Sequence, residues 1–170
     1  SLLPIDEHSG WCDLIGRRNR IEDAHAVHIT PEYLFVGVFD GHWGSAAAKF
    51  ASRHIPLLFD WYLSHNATNA MDSTTNANII NLQASDEFKQ SFMVTNTLMD
   101  VPISNVVRAM HHAITMTQRD FLTKISGAER SGSTVTVAVV FRDIIVVANV
   151  GDSRAVLCCD ASGAAIALTE

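Results

Sequence analysis

Phe35-Val36-Gly37-Val38-Phe39-Asp40-Gly41-His42-Trp43-Gly44 is an apolar run that breaks abruptly into Asp-Gly-His. Its length, its Val and Phe content and the turn residues at its ends predict a buried strand over Tyr33–Asp40. Asp40 and His42 then stand where that strand leaves the core, with Gly41 letting the backbone turn tightly between them. A carboxylate and an imidazole at a strand end are not what stability alone selects. Taken by itself, the tripeptide is a polar turn with Asp40 capping the following helix. The flanking sequence decides otherwise.

Upstream, Ala24 to Ile29 alternates Ala24/Ala26/His28 against His25/Val27/Ile29, as a strand with one wetter face does. Pro31-Glu32 turns it into the Tyr33–Asp40 strand. In an antiparallel pair the start of the first strand adjoins the end of the second, so Glu22, Asp23 and Asp40 are expected to meet at one point. Before them, Arg17 to Asp23 holds three arginines and two acids. A charge run of that kind is ordinarily a solvated, salt-bridged loop. Trp11 to Ile15 is expected to form a short first strand with a turn at Gly16.

Downstream, Ala47, Phe50, Ala51, His54, Leu58 and Trp61 mark one face of an amphipathic helix, kinked or broken before Pro56. His54 reads as a core-edge residue rather than a ligand. Residues 64–85, rich in Asn, Thr, Ser and Ala, read as a polar surface loop or insertion. A short helix is expected over residues 86–93 and a connection over 95–102. Ile103, Val107, Met110, Ile114, Phe121 and Ile125 predict a long helix that Gly127 ends. Met110 and Met116 fit core filling, and His111-His112 the wet side. Ser133 to Phe141 and Ile144 to Val150 read as a hairpin buried on both faces and joined by Arg142-Asp143. Gly151-Asp152-Ser153-Arg154 follows, then strands at Ala155–Cys159 and Ala164–Leu168.

The 170 residues are 48% hydrophobic, enough for the core of one domain. A net charge of -6 argues against electrostatic binding to nucleic acid or to an anionic membrane, and fits a basic protein substrate or a cationic metal better. Cys12, Cys158 and Cys159 offer neither zinc spacing nor a disulfide framework, and read as buried thiols of a reducing compartment. With no signal peptide pattern in residues 1–10, a cytoplasmic or nuclear protein is expected, and the Asn66-Ala67-Thr68 sequon is taken as a chance match. A monomer is expected.

Glu22, Asp23, Asp40 and Asp152 are hard oxygen donors of the kind Mg2+ and Mn2+ prefer, and Gly41 has a backbone carbonyl to add. Two such cations sharing a carboxylate can acidify a water and aim it at phosphorus. Arg18 offers a planar fork to phosphate oxygens, and His42 carries an imidazole, the side chain most often used as a general acid.

Four segments carry a resemblance. They are Arg18-x-x-x-Glu22-Asp23-Ala24-His25, Phe39-Asp40-Gly41-His42-x-Gly44, Arg130-Ser131-Gly132-Ser133-Thr134 and Asn149-x-Gly151-Asp152-Ser153-Arg154. In order and spacing they resemble the metal-dependent protein serine/threonine phosphatases of type 2C, over nearly the whole chain. That resemblance implies an α+β fold, a four-layer αββα sandwich of two antiparallel sheets flanked by helices. It implies hydrolysis of phosphoserine and phosphothreonine in proteins by direct attack of water. Asp40 resembles the carboxylate bridging two Mg2+ or Mn2+ ions, and Gly41 the carbonyl ligand. Glu22 and Asp23 resemble ligands acting directly or through water, and Asp152 a residue of a third, weaker site. Arg18 resembles the phosphate-binding residue, His42 the general acid, and Ser131–Thr134 a packing motif.

Trp43 departs from the family, which has a small residue there. Leu168-Thr169-Glu170 resembles the start of a motif that continues Asp-His-Lys-Pro, so residues 1–170 are expected to be the N-terminal part of a longer catalytic domain. The alternatives are a truncated form, or a non-catalytic pseudophosphatase that engages a kinase or receptor.

Overall fold

A computed structural model describes residues 10–65, 78–81, 101–141, 144–159 and 163–169. In chain order they form strands β1 (Ala24–Ile29), β2 (Leu34–Phe39) and β3 (Gly41–His42), and helix α1 (Ala46–His65). Strand β4 (Asn78–Asn81) and helix α2 (Ile103–Lys124) follow, then a 3-10 turn at Ala128–Arg130. Strands β5 (Gly132–Ser133), β6 (Val135–Phe141), β7 (Ile144–Val150), β8 (Val156–Cys159) and β9 (Ala164–Ala167) complete the order.

β1, β2, β6, β7 and β4 make one antiparallel sheet in that spatial order. The β1–β2 connection is set by Thr30. Its hydroxyl accepts from the amides of Glu32 and Tyr33 at 3.2 and 3.1 Å, and its own amide donates to the Tyr33 carbonyl at 3.0 Å. A hydroxyl folding back on the next residues in this way is a local turn device. It fixes Ile29 opposite Leu34, and the register then runs to Ala24 opposite Phe39. The last pair places Asp23 beside Asp40.

With period 2 along each strand, one face of the sheet carries Phe35, Phe39, Val135, Val137, Val139 and Val146, all buried. α1 and α2 pack against each other over this face. α1 contributes Ala48, Ala51, Ile55 and Phe59, and α2 contributes Val106, Val107, Met110 and Ala113. Phe59 is the aromatic centre, with its ring 5.3 Å from Tyr33 edge-on and 5.7 Å from Phe35. Burying each such side chain is worth about 1.5–3 kcal/mol relative to exposure.

The opposite face holds Val27, Ile29, Leu34, Val36, Val38, Ala138, Val140 and Ile145 in adjoining register. Val27, Ile29 and Val38 are exposed there. The α+β class, with antiparallel sheets and helices, is as the resemblance implies. The described residues form one helix layer on one large sheet, with small ribbons β3–β5 and β8–β9 beside it.

Some expectations give way to the structure. Trp11–Ile15 forms no strand: its residues are exposed and make no backbone ladder with the edge strand β1, which Trp11 and Asp13 meet only through their side chains. α1 runs through Pro56 unbroken. Within residues 64–85, Ser64 and His65 close α1, and Asn78–Asn81 is an edge strand paired with β7 instead of loop. The remainder of that stretch, with the helix expected over 86–93 and most of the 95–102 connection, lies outside the described residues. Cys12 and Cys158 are exposed rather than buried.

Candidate functional site

The end of β2 and the start of β1 build the site. The Asp40 amide donates to the Thr134 hydroxyl at 3.0 Å, and the Thr134 amide donates to the Asp40 carbonyl at 2.9 Å. Gly41 then crosses directly over the Glu22 backbone, and any Cβ there would overlap the Glu22 carbonyl. This close approach, not a positive φ, is why glycine stands at 41. His42 pairs with Gly132 in the β3–β5 ribbon and is exposed. Trp43 follows with φ +62 and its side chain 88% exposed.

The turn after His42 is held from β5's side. The Ser131 hydroxyl accepts from the Ala47 amide and donates to the Gly44 carbonyl, both at 3.2 Å. The Gly44 amide in turn donates to the Glu22 carboxylate, and with Arg20 and Arg18 it holds Glu22 below the usual carboxylate range. Arg20 Nε lies 2.9 Å from Glu22 Oε1.

Asp23 behaves oppositely. Burial first, then the charge of Asp40 and a hydrogen bond between the two carboxyls, raise it above its ordinary 3.8, with Asp13 adding slightly and Arg18 opposing. Two carboxylates this close repel unless a proton or a cation lies between them. The β1–β2 register therefore brings Asp23 and Asp40 together, as the sequence implies.

Irregular residues 10–23 are tied to β1 at one place. His25 Nδ1 lies 3.1 Å from Asp13 Oδ2, and the Trp11 ring lies 5.2 Å from the His25 ring. A turn closed from the Arg18 amide to the Ile15 carbonyl at 3.2 Å then swings the arginines over the acids. The result is a cleft of about 440 Å³ lined by Arg17, Arg18 and Arg20 together with Glu22, Asp23 and Asp40, and by Leu14 and Ile15. Cations suited to an anionic ligand thus share one cleft with acids suited to a metal, with Arg20 paired to Glu22.

Gly41, His42 and Asp152 do not line this cleft. Asp152 is exposed on the turn after β7 and reaches the site only indirectly. Its neighbour Ser153 meets the Thr134 hydroxyl at 2.8 Å, and Gly151, at φ +101, leaves no room for a Cβ beside Thr134. Among the described residues no group of three or more His, Cys, Asp and Glu side chains is assembled to hold a metal. The part of the set that fits a hard cation is the Asp23–Asp40 pair, with Glu22 adjoining, since these acids share one cleft and repel without a counter-charge.

His54 lies, as expected, at the core edge, stacked on Phe50 at 3.7 Å. Sequence reading treats Ser131–Thr134 as packing. The structure shows Ser131, Thr134 and Ser153 to be the hydrogen-bonding braces of Asp40 and of the turn after it. The signal was a run of short hydroxyl residues just ahead of the most apolar strand, which turn chemistry asks for.

The family model described as Protein phosphatase 2C matches residues 8–170. The chain is 32% identical over 158 residues to probable protein phosphatase 2C 21 of Oryza sativa subsp. japonica, covering 91% of this chain and 43% of that protein. It is 30% identical over 160 residues to probable protein phosphatase 2C 3 of Paramecium tetraurelia, with 92% and 43% covered. Protein phosphatase 1B of Rattus norvegicus is 30% identical over 154 residues, with 88% and 34% covered. The chain thus spans less than half the length of these relatives. Among solved structures, serine-threonine phosphatase 2C from Toxoplasma gondii superposes with a TM-score of 0.63 at 18% identity, over 92% of this chain and 47% of that one, a likeness of fold.

Proposed function

The chain belongs to the protein phosphatase 2C family, and from that premise we propose that it is the N-terminal part of a Mg2+- or Mn2+-dependent phosphatase acting on phosphoserine and phosphothreonine in proteins. The observation that carries this reading is the one cleft that Arg17, Arg18 and Arg20 line together with Glu22, Asp23 and Asp40. Asp23 and Asp40 are the residues that would hold a cation, with Glu22 alongside. What such a cation supplies when bound is acidification of a water at neutral pH. Arg18 binds the phosphate through its planar fork and orients phosphorus towards the acids. Gly41 lets the backbone lie against Glu22, so the spacing of Asp40 and Glu22 is built into the main chain. His42, at the exposed end of the same turn, donates a proton to the departing serine or threonine oxygen. Asp152 adjoins through the Thr134–Ser153 brace and is proposed for a further, weaker ion.

The test is Mn2+-dependent hydrolysis of a phosphothreonine peptide by the full-length protein, with Asp40→Ala as its control. Turnover that requires both the metal and Asp40 is the expected result, and full activity of Asp40→Ala would overturn the assignment. A second reading, a non-catalytic pseudophosphatase that engages a kinase or receptor, is favoured by one observation: no three-donor cluster is assembled among the described residues. Absence of Mn2+ binding to the full-length protein in a calorimetric titration would select it.

A further inference from the structure

The three arginines of the cleft are not equivalent. Arg17, Arg18 and Arg20 all line it beside Glu22, Asp23 and Asp40. Among the described residues Arg20 is the one of them that makes an ion pair, with its Nε 2.9 Å from Glu22 Oε1. The two partners differ in exposure. The Glu22 side chain is 13% exposed and that of Arg20 74%. Glu22 is fixed further by the Gly44 amide on its carboxylate and by Gly41 pressed on its backbone. Arg20 is held at its guanidinium and otherwise lies in water.

The acids divide in the same way. Asp23 and Asp40 share a hydrogen bond between their carboxyls, while Glu22 alone of the three has a cation in contact. A divalent cation drawn to Asp23 and Asp40, with Glu22 alongside, therefore meets on Glu22 a charge already satisfied. A carboxylate has room for further partners, but two cations on it repel. The guanidinium is the one to leave, because a solvent-exposed ion pair is weak and its arginine is already hydrated. Near neutral pH Glu22 is ionised with or without Arg20, since its ordinary value is 4.5 and the Gly44 amide lowers it independently. There Arg20 adds nothing to the charge of Glu22 and only occupies it.

Resting on the metal-dependent phosphatase reading above, we propose that Arg20 is a positioning residue, the built-in counter-cation of Glu22. It holds that carboxylate in the metal-free cleft and is displaced when a divalent cation takes it, so metal binding is weaker than the acids alone would give. Arg20 stands at an unspecified place of the Arg18-x-x-x-Glu22 segment, which makes this restraint a property of the present chain.

The test is calorimetric titration of the full-length protein with Mn2+ at pH 7 and physiological salt. Arg20→Gln is expected to bind Mn2+ about threefold more tightly than the natural protein, the size that a solvent-exposed ion pair commands. Loss of a nearby positive charge by itself also favours a cation. Arg17→Gln measures that effect, because it removes a charge from the same cleft without breaking an ion pair, and it is expected to stay within about 1.5-fold of the natural protein. Arg20→Lys, which keeps the cation, is expected to remain near the natural affinity. An unchanged or weakened affinity in Arg20→Gln, or an equal gain in Arg17→Gln, overturns the proposal. The phosphothreonine-peptide assay separates it from the phosphatase reading. If Arg20→Gln tightens Mn2+ binding in a protein that hydrolyses no phosphopeptide, that reading falls and the role of Arg20 stands. Binding of Mn2+ to neither protein overturns both.

Discussion

At single residues, the site is a set of local costs. Asp23 is raised by burial and by Asp40, so the folded protein holds that proton more tightly than the unfolded chain. Its effect on stability is therefore neutral below the ordinary 3.8 and becomes unfavourable as pH rises through the raised value. Asp23→Asn is expected to remove that decline, seen as a flatter curve of Tm against pH from 3 to 7, and to weaken Mn2+ binding. Glu22 has the opposite sign, with stability present above 4.5 and lost as pH falls through its lowered value. At Gly41 the constraint is steric. Gly41→Ala must displace the Glu22 backbone, and a loss of about 2 kcal/mol or more in chemical denaturation is expected. Trp43→Gly goes the other way. Relief of the left-handed strain outweighs the added freedom of the unfolded chain, for a gain of up to about 1 kcal/mol.

Between elements, the decisive joints are hydrogen-bonded threonines. Thr134 is buried and serves Asp40 on one side and Ser153 on the other. Thr134→Val keeps the shape but leaves the Asp40 amide without its acceptor, at a cost of about 1–3 kcal/mol. A larger fractional loss of Mn2+-dependent activity than of stability is expected, since Asp40 is the group released. α1 is anchored by Phe59 between Tyr33 and Phe35. Phe59→Ala should cost about 3–5 kcal/mol by calorimetry. The helices and the β6–β7 hairpin were legible because long apolar periodicity at 3.6 or continuous β-branched runs point one way. Trp11–Ile15 was misread because Trp11, Leu14 and Ile15 look like strand residues whether or not the backbone pairs, and here the link to β1 is made by the Asp13 and Trp11 side chains instead. Asn78–Asn81 was missed for the converse reason, as its ladder with β7 is made by backbone groups that composition does not reveal.

Over the whole molecule, one sheet face is sealed by α1 and α2, while the other leaves Val27, Ile29 and Val38 exposed. A contiguous apolar face of this kind binds hydrophobic dyes and drives association. These 170 residues alone are expected to enhance anilinonaphthalene sulfonate fluorescence, and Val27→Thr with Val38→Thr to reduce it. Among the described residues no helix is long and apolar enough to cross a membrane. The sequence alone determined the strand and helix periods, the family motifs and the meeting of Asp23 with Asp40, because a period of two and one antiparallel turn leave little freedom. Tertiary structure decided what those motifs do to one another. Only contacts between residues 94 and 87 positions apart show Thr134 bracing Asp40 and Ser131 holding the turn after His42, and only the folded cleft shows Asp152 standing outside it. Side-chain reach and backbone close approach are set by packing, and no local pattern encodes them.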